Sequence, residues 1–159
     1  MDILKMIEMQ RDLDKKIMDK AKVEVYPIQQ MKTAYRVELG ELLNEWQEFK
    51  FWKTNKTINK KDKLLEFADC LAFALSLESN NDFYTEHRYM EFEKDFQSSH
   101  YTYDRIDVYS HIERCFEVYP TVIMDTLILG YKLGITWDEM ERAYNYKYKI
   151  NLKRQENGY

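Results

Sequence analysis

Two pairs of acidic residues, each with a three-residue step, are the part of the sequence best suited to chemistry. Glu38 and Glu41 lie in "RVELGELLNEWQEFKFW", and Glu66 and Asp69 lie in "LLEFADCLAFALSL". A three-residue step places both side chains of a pair on the same face of a helix. Converging carboxylates repel one another unless a divalent cation lies between them, and hard oxygen ligands favour Mg²⁺ over Zn²⁺. The pattern indicates a magnesium site.

The alternative is that these carboxylates are ordinary surface charge, since the chain has 28 acidic residues. The surroundings of Asp69 argue against it. The stretch from Leu64 to Leu77 is apolar nearly all round, which is typical of a buried helix, and no Lys or Arg lies three or four residues from Asp69. A buried carboxylate without a partner must protonate or find a cation. A partly exposed acidic groove that pairs with distant lysines remains open.

The C-terminal stretch "AYNYKYKINLKRQENGY" offers side chains suited to phosphate. Lys147, Asn151 and Arg154 recur at steps of four and three residues, so they form one narrow helical stripe, and Tyr159 follows it. Arg presents a planar fork to phosphate oxygens and Lys a compact charge. Alone, such a stripe is usually a solvated face. Opposite a metal-binding acidic cluster, it could hold the phosphates of a nucleoside triphosphate.

Helices must position these residues. With only two prolines and four glycines, the chain predicts an all-α fold. Two helices joined by a short loop are normally antiparallel neighbours, so the two acidic pairs can converge. Apolar spacing and capping patterns predict helices over 2–19, from Pro27 to about Trp52, from an N-cap at Asp62 to about 79, and over part of 83–104. They also predict helices over about 104–118, from Pro120 to Gly134, and from a capping box at Thr136 and Glu139 to about Arg154.

Composition limits the class of protein. The length predicts one domain over residues 1–159, and a net charge of −4 argues against a protein that coats nucleic acid. The sequence has no run of about 18 apolar residues, so no membrane span is predicted. Its charged N-terminus is unlike a signal peptide, and a cytoplasmic protein is therefore expected. Cys70 and Cys115 read as reduced core thiols. The lack of a glycine-rich phosphate loop removes P-loop and Rossmann interpretations.

These motifs resemble the all-α, dimeric dUTPases of bacteriophages, some bacteria and trypanosomatids, which belong with the MazG-type nucleotide pyrophosphohydrolases. The family's E-x-x-E and E-x-x-D correspond to the four carboxylates, and "ELGELLNEW…FKFW" is matched at 38–52. The terminal K-x-x-x-N-x-x-R-Q-x-x-G-Y is matched from Lys147 to Tyr159. "MQRDLD" resembles the family's nucleoside-recognition element and gives Gln10. The resemblance implies a helical bundle of the all-α NTP pyrophosphatase type and a homodimer.

The resemblance also implies a reaction, the Mg²⁺-dependent hydrolysis of dUTP, and of dUDP, to dUMP. In this reaction water is expected to attack the α-phosphorus, and Glu38 is expected to orient this water with general-base character. The implied metal ligands are Glu38, Glu41, Glu66 and Asp69. The implied phosphate-binding residues are Lys147, Asn151, Arg154 and Tyr159, and the nucleoside-binding candidates are Gln10, Trp46, Trp52 and Phe73.

Two departures from the family pattern bear on base recognition. The family's D-x-x-H-F step reads "DCLAF" here, with Ala72 in place of the His, and the chain is short around residues 80–105. Two alternatives therefore stay open: a MazG-like pyrophosphohydrolase of another nucleotide, and a non-enzymatic helical module whose acidic face binds a protein. The apolar stretch "PTVIMDTLILGYKL" predicts an exposed surface for a homodimer whose subunits share their active sites. A regulatory protein partner cannot be deduced from the sequence.

Overall fold

A computed structural model of the chain describes residues 2–80, 86–98, 106–118 and 120–157. These described residues form seven α-helices and no strand, which confirms the all-α class. Within them, no helix combines the length and the apolar character needed to cross a bilayer. The helices are α1 (Ile3–Ala21), α2 (Ile28–Trp46), α3 (Lys60–Ser79), α4 (Glu86–Ser98), α5 (Val108–Glu117), α6 (Val122–Lys132) and α7 (Trp137–Glu156).

The central element is α3, which contacts α1, α2, α6 and α7. Because it is surrounded, its apolar residues are buried on nearly every side, as the sequence predicts. Both cysteines are buried free thiols, Cys70 on α3 and Cys115 on α5. The hydrophobic core draws residues from all seven helices. The acidic pair of α3 is thus carried by the most constrained helix of the fold.

Close packing of α6 against α3 and α7 depends on Gly130. A Cβ atom at this position would collide with the ring of Phe67 and lie 2.8 Å from Met140 Cε. Eight residues of α6 are buried within the chain. The prediction that this stretch presents an exposed apolar surface is therefore wrong, because its apolar side chains are used by the chain's own core.

The second helix ends earlier than the apolar pattern predicts. It stops at Trp46, and Gln47 adopts the left-handed conformation with φ of 63°. The side chain of Gln47 then donates to Thr57 O (2.8 Å) and accepts from Lys53 Nζ (2.6 Å), which stabilises the following turns. The prediction of a helix to Trp52 is wrong, since these side-chain contacts compete with continued helix.

The start of α3 also differs from the prediction. Asn59 is the N-cap, and its Oδ1 accepts from the backbone N–H groups of Lys61 (3.0 Å) and Asp62 (3.4 Å). Asp62 lies in the first turn instead, where it accepts from Asn59 Nδ2 (2.6 Å). Asn and Asp are both good caps, and the chain uses the earlier one.

The predicted capping box of α7 is confirmed. Thr136 Oγ1 accepts from the backbone of Glu139 (3.3 Å), and Glu139 Oε2 accepts from the backbone of Thr136 (2.9 Å). Glu139 also pairs with Lys60, and Lys63 Nζ donates to Leu133 O (2.7 Å). The N-terminal ends of α3 and α7 are thereby tied together, which fixes the direction in which α7 runs past α3.

Candidate active site

Three carboxylates from two helices converge at the contact between α2 and α3. One carboxylate oxygen from each of Glu38, Glu66 and Asp69 lies within 4.8 Å of the other two. The three-residue step aligns Glu66 with Asp69 on α3, and the packing of α2 against α3 brings in Glu38. These three residues are called the carboxylate cluster below. Glu41 is exposed and lies outside it, one helical turn from Glu38.

The environment of the cluster disfavours the ionised forms of its three carboxylates. The pKa of Glu38 is raised to about 7 by burial first, and then by the charges of Asp69, Glu41 and Glu66. Burial followed by neighbouring carboxylates also raises the pKa of Glu66, and burial raises that of Asp69. Negative charges that repel at such distances can be stabilised by a hard divalent cation held by oxygen ligands. The donor set therefore fits a metal such as Mg²⁺.

The cationic partner of Asp69 comes from α7. Lys147 Nζ forms an ion pair with Asp69 Oδ2, and the two side chains are only 16% and 19% exposed. Asp69 thus lacks a partner on its own helix, as the sequence indicates, but finds one through tertiary packing. The positive charge of Lys147 also partly offsets the rise in the pKa of Glu38 and Glu66. Its ammonium therefore lies beside the whole carboxylate cluster.

The rest of the α7 stripe lies close to the same carboxylates. Arg154 Nη1 donates to Asn151 Oδ1 (3.4 Å), and the charge of Arg154 partly offsets the rise in the pKa of Asp69. The stripe predicted from the four- and three-residue steps therefore lies beside the acidic residues. Tyr159, the fourth residue predicted to bind phosphate, lies outside the described residues.

A cavity of about 740 Å³ is lined by some of these groups, but not by Glu38, Glu66 or Lys147. Asp69 of the cluster lines it, together with Asn151 and Arg154 of the stripe. Gln10 and Phe73, two of the four nucleoside-binding candidates, also line it. One residue of the carboxylate cluster, two of the predicted phosphate-binding residues and two of the predicted nucleoside-binding residues therefore line the same cavity.

Gln10 and Asp14 of the cavity wall belong to a buried polar network, and Asp14 is not among the residues predicted from the sequence. Gln10 Nε2 donates to Asp14 Oδ1 (2.8 Å), and the hydroxyl of Tyr144 donates to Gln10 Oε1 (3.2 Å). Asp14 is buried, and this burial raises its pKa. Its position four residues after Gln10, within the "MQRDLD" element, is a signal that could have identified it. Tyr26 also lines the cavity, and its hydroxyl is hydrogen-bonded to Ser76 Oγ (2.7 Å). No sequence pattern marks this residue.

The other two nucleoside-binding candidates are placed elsewhere. Trp46 is 8% exposed and packs against Tyr109, with ring centroids 6.0 Å apart. Trp52 is 64% exposed and stands edge-on to Phe51 in the turn after α2. Neither tryptophan lines the cavity. The cavity therefore groups Gln10 with Phe73 and leaves the two tryptophans apart.

Comparison with known proteins identifies one family. A protein-family model described as dUTPase matches residues 2–159, which is nearly the whole chain. No curated protein matches the chain significantly. The described residues are entirely helical apart from turns and connections, and the family match spans the carboxylate cluster, the cavity and the α7 stripe. The chain therefore belongs to the dUTPase family, in its all-α branch, and is a dUTP diphosphatase.

Proposed function

We propose that this protein hydrolyses dUTP, and also dUDP, to dUMP in a Mg²⁺-dependent reaction in which water attacks the α-phosphorus. One observation carries the proposal. Asp69 belongs both to the carboxylate cluster and to the wall of a cavity that Asn151 and Arg154 also line. A substrate with a nucleoside at one end and a phosphate chain at the other is suited to such a space.

The carboxylate cluster would hold the metal. Glu38, Glu66 and Asp69 supply converging oxygens, and Glu41 adds negative charge nearby. A bound Mg²⁺ would neutralise charge on phosphate oxygens and lower the pKa of a bound water. The carboxylates gain from such a cation, because burial and mutual repulsion otherwise disfavour their ionised forms.

Glu38 is our candidate for the residue that orients the attacking water and accepts its proton. Its carboxylate lies in the cluster with those of Glu66 and Asp69, and a carboxylate within hydrogen-bond reach of a water molecule can accept a proton from it. A bond forms between the water oxygen and the α-phosphorus, and the bond from that phosphorus to the bridging oxygen breaks. Pyrophosphate leaves from dUTP, and phosphate leaves from dUDP. Positioning and electrostatics supply most of such catalysis, so a protein nucleophile is not required.

The α7 stripe would hold the phosphate chain. Lys147 and Arg154 provide the positive charge, Asn151 provides an amide donor, and Tyr159 is the fourth candidate. Hydrogen bonds between charged groups are roughly twice as strong as neutral ones and fix the orientation of the phosphates. By binding the leaving group, these residues would stabilise the negative charge that develops on it.

The cavity would hold the nucleoside. Its volume lies within the range of ordinary small-molecule sites, and Phe73 and Gln10 offer an apolar surface and an amide to a base. Ala72 also lines the cavity, where the family motif has a His. This smaller side chain favours a second candidate function, a MazG-like pyrophosphohydrolase of another nucleotide. An alanine at this position leaves more room beside a bound base than a histidine would.

A substrate panel separates the two functions. Pyrophosphate release is measured from the eight deoxy and ribo triphosphates and dUTP, with Mg²⁺ or with a chelator. We expect dUTP to be turned over with the highest kcat/KM and only when Mg²⁺ is present. Faster turnover of another nucleotide would support the second candidate. Equal turnover with the chelator would contradict the role of the metal.

We also propose that residues 1–159 act as a single domain in a cytoplasmic homodimer. The shared hydrophobic core supports a single domain. Exposed apolar side chains on α2 and α5 support association, among them Val37 and Tyr109. Light scattering over a dilution series should report a dimer. If the two subunits share their active sites, mixing two inactive variants with different site lesions should restore activity. A fully active monomer at micromolar concentration would contradict association.

A further inference from the structure

Lys147 lies beside the carboxylate cluster and also belongs to the stripe proposed to bind phosphate. Its ammonium forms an ion pair with Asp69, and its charge acts on Glu38 and Glu66 as well. It is therefore a cation that compensates the carboxylate cluster in this structure, and the charge of Arg154 adds to it at Asp69. Both members of the pair are largely buried, so the attraction between them is screened less than it would be at the surface.

The proposed binding of phosphate requires the same ammonium to lie elsewhere. Lys147 shares one stripe of α7 with Asn151 and Arg154, the two stripe residues on the cavity wall. A divalent cation at the carboxylate cluster would repel an ammonium that is paired with one of its ligands. The lysine side chain has a flexible four-carbon stem, so its charged end can change partner without movement of the helix.

We propose that Lys147 exchanges Asp69 for the phosphates of the nucleotide when the metal binds, so that the binding of metal and of nucleotide is positively coupled. The exchange rests on the proposed function of the site. Without nucleotide, the ammonium competes with the metal for Asp69 and keeps metal affinity low. Phosphate draws the ammonium away and frees the carboxylate. Because coupling between two ligands is reciprocal, the metal raises nucleotide affinity by the same factor.

The first test measures metal binding without nucleotide. Calorimetric titration of the full chain with Mn²⁺ compares the wild type with Lys147→Met, which removes the competing charge but keeps a side chain of similar length. We expect Lys147→Met to bind Mn²⁺ about tenfold more tightly, within the usual range of such couplings. The control is Lys149→Met, since Lys149 is an exposed lysine on the same helix. Its Mn²⁺ affinity should equal that of the wild type.

The second test measures the coupling. Each protein is titrated with α,β-imido-dUTP, a non-hydrolysable analogue, with and without Mn²⁺. The analogue chelates Mn²⁺ equally in all samples, so a difference between variants isolates the contribution of Lys147. We expect Mn²⁺ to strengthen analogue binding to the wild type and to Lys149→Met more than to Lys147→Met. Equal strengthening in all three proteins would overturn the exchange.

A third variant tests whether charge is the cause. Lys147→Arg keeps a cation beside Asp69, so its Mn²⁺ affinity should stay near that of the wild type. If it binds Mn²⁺ as tightly as Lys147→Met, competition by charge is refuted. Lys147→Gln repeats the comparison should circular dichroism show that Lys147→Met is unfolded.

Failure of the exchange is distinguishable from failure of the proposed function. If the wild type and Lys147→Met bind Mn²⁺ with equal affinity, the exchange is wrong while the carboxylate cluster remains a metal site. If the wild type binds no Mn²⁺ even with the analogue, the metal site is wrong, and the exchange is overturned with it.

Discussion

Lys147 on α7 and Asp69 on α3 form an ion pair that joins the last helix to the central one. The same two helices are joined at their N-terminal ends by the pair between Lys60 and Glu139. The stripe of α7 is therefore fixed relative to the carboxylate cluster by contacts at two levels. Such preorganisation places phosphate-binding and metal-binding groups at a set separation before substrate arrives, which is what catalysis by positioning requires.

Loss of the guanidinium at Arg154 should weaken binding of the phosphate chain. Arg154 lines the cavity, and its charge acts on Asp69. A hydrogen bond to a charged group contributes about 1.5–3 kcal/mol, so Arg154→Met should lower kcat/KM for dUTP by about 10- to 100-fold. The matched control is Lys153→Met, which removes an exposed charge from the neighbouring position. An equal loss in both variants would show that the effect is only one of net charge.

The sequence was sufficient for those parts of the site that depend on local spacing. The steps from Glu38 to Glu41 and from Glu66 to Asp69 are properties of single helices, and the apolar character of α3 predicts its burial. Convergence of Glu38 with Glu66 and Asp69 required only that neighbouring helices pack together, and Glu41 stays outside the cluster. The capping box at Thr136 is equally local, and the structure confirms it.

The sequence was insufficient where distant residues decide the outcome. The pairing of Lys147 with Asp69 depends on how α7 packs on α3, and no local pattern records it. The end of α2 depends on a hydrogen bond from Gln47 to Thr57, ten residues further on, while the apolar pattern simply continues. The apolar stretch of α6 reads the same whether its partner is another subunit or the chain's own core.

Two glycine-to-alanine substitutions should affect stability in opposite directions. Gly130→Ala places a methyl group against Phe67 and Met140, and overpacking of this kind costs about 1–3 kcal/mol. Gly40 lies inside α2, and an added Cβ would meet no heavy atom of the described residues within 4 Å apart from its chain neighbours and the backbone of its own helix. Gly40→Ala should therefore stabilise the protein by about 0.5–1 kcal/mol, because Ala loses less conformational entropy in a helix. Urea denaturation measures both, and equal midpoints would contradict the packing of α6.

Glu78 should make stability fall as pH rises. It is 0% exposed and accepts a hydrogen bond from Ile123 N (2.7 Å), and burial raises its pKa from 4.5 to about 7. Between these values the folded state holds a proton that the unfolded state has lost. The free energy of unfolding should therefore decrease from pH 4.5 to pH 7, by up to about 3 kcal/mol, and then level off.

Glu78→Gln should remove this contribution, because the amide stays neutral and its oxygen can still accept from Ile123. Urea midpoints at pH 5 and pH 8 should differ less in this variant than in the wild type. Glu113→Gln, which changes an exposed glutamate on α5, is the control and should keep the wild-type difference. If Glu78→Gln keeps it too, the carboxyl of Glu78 is not the source.

The position of water attack can be read from an oxygen isotope. Hydrolysis of dUTP in ¹⁸O-labelled water should place the label in dUMP, since we propose attack at the α-phosphorus. Mass spectrometry of dUMP and pyrophosphate from a single turnover gives the answer directly. Label in pyrophosphate alone would mean attack at the β-phosphorus. It would contradict the proposal that the carboxylate cluster acts at the α-phosphorus.

The most direct test of the account is dUTP turnover by Asp69→Asn at saturating Mg²⁺. Asp69 is the residue shared by the carboxylate cluster and the cavity, and the amide keeps its size while losing its charge. We expect kcat to fall by at least about 100-fold, because a metal contributes several kcal/mol of charge stabilisation. Circular dichroism should show an unchanged helical fold. Glu48→Gln, which changes an exposed glutamate outside the cluster that pairs with Lys56, should retain full activity. A folded Asp69→Asn variant that turns over dUTP at the wild-type rate would contradict the central claim that this cluster is the catalytic metal site.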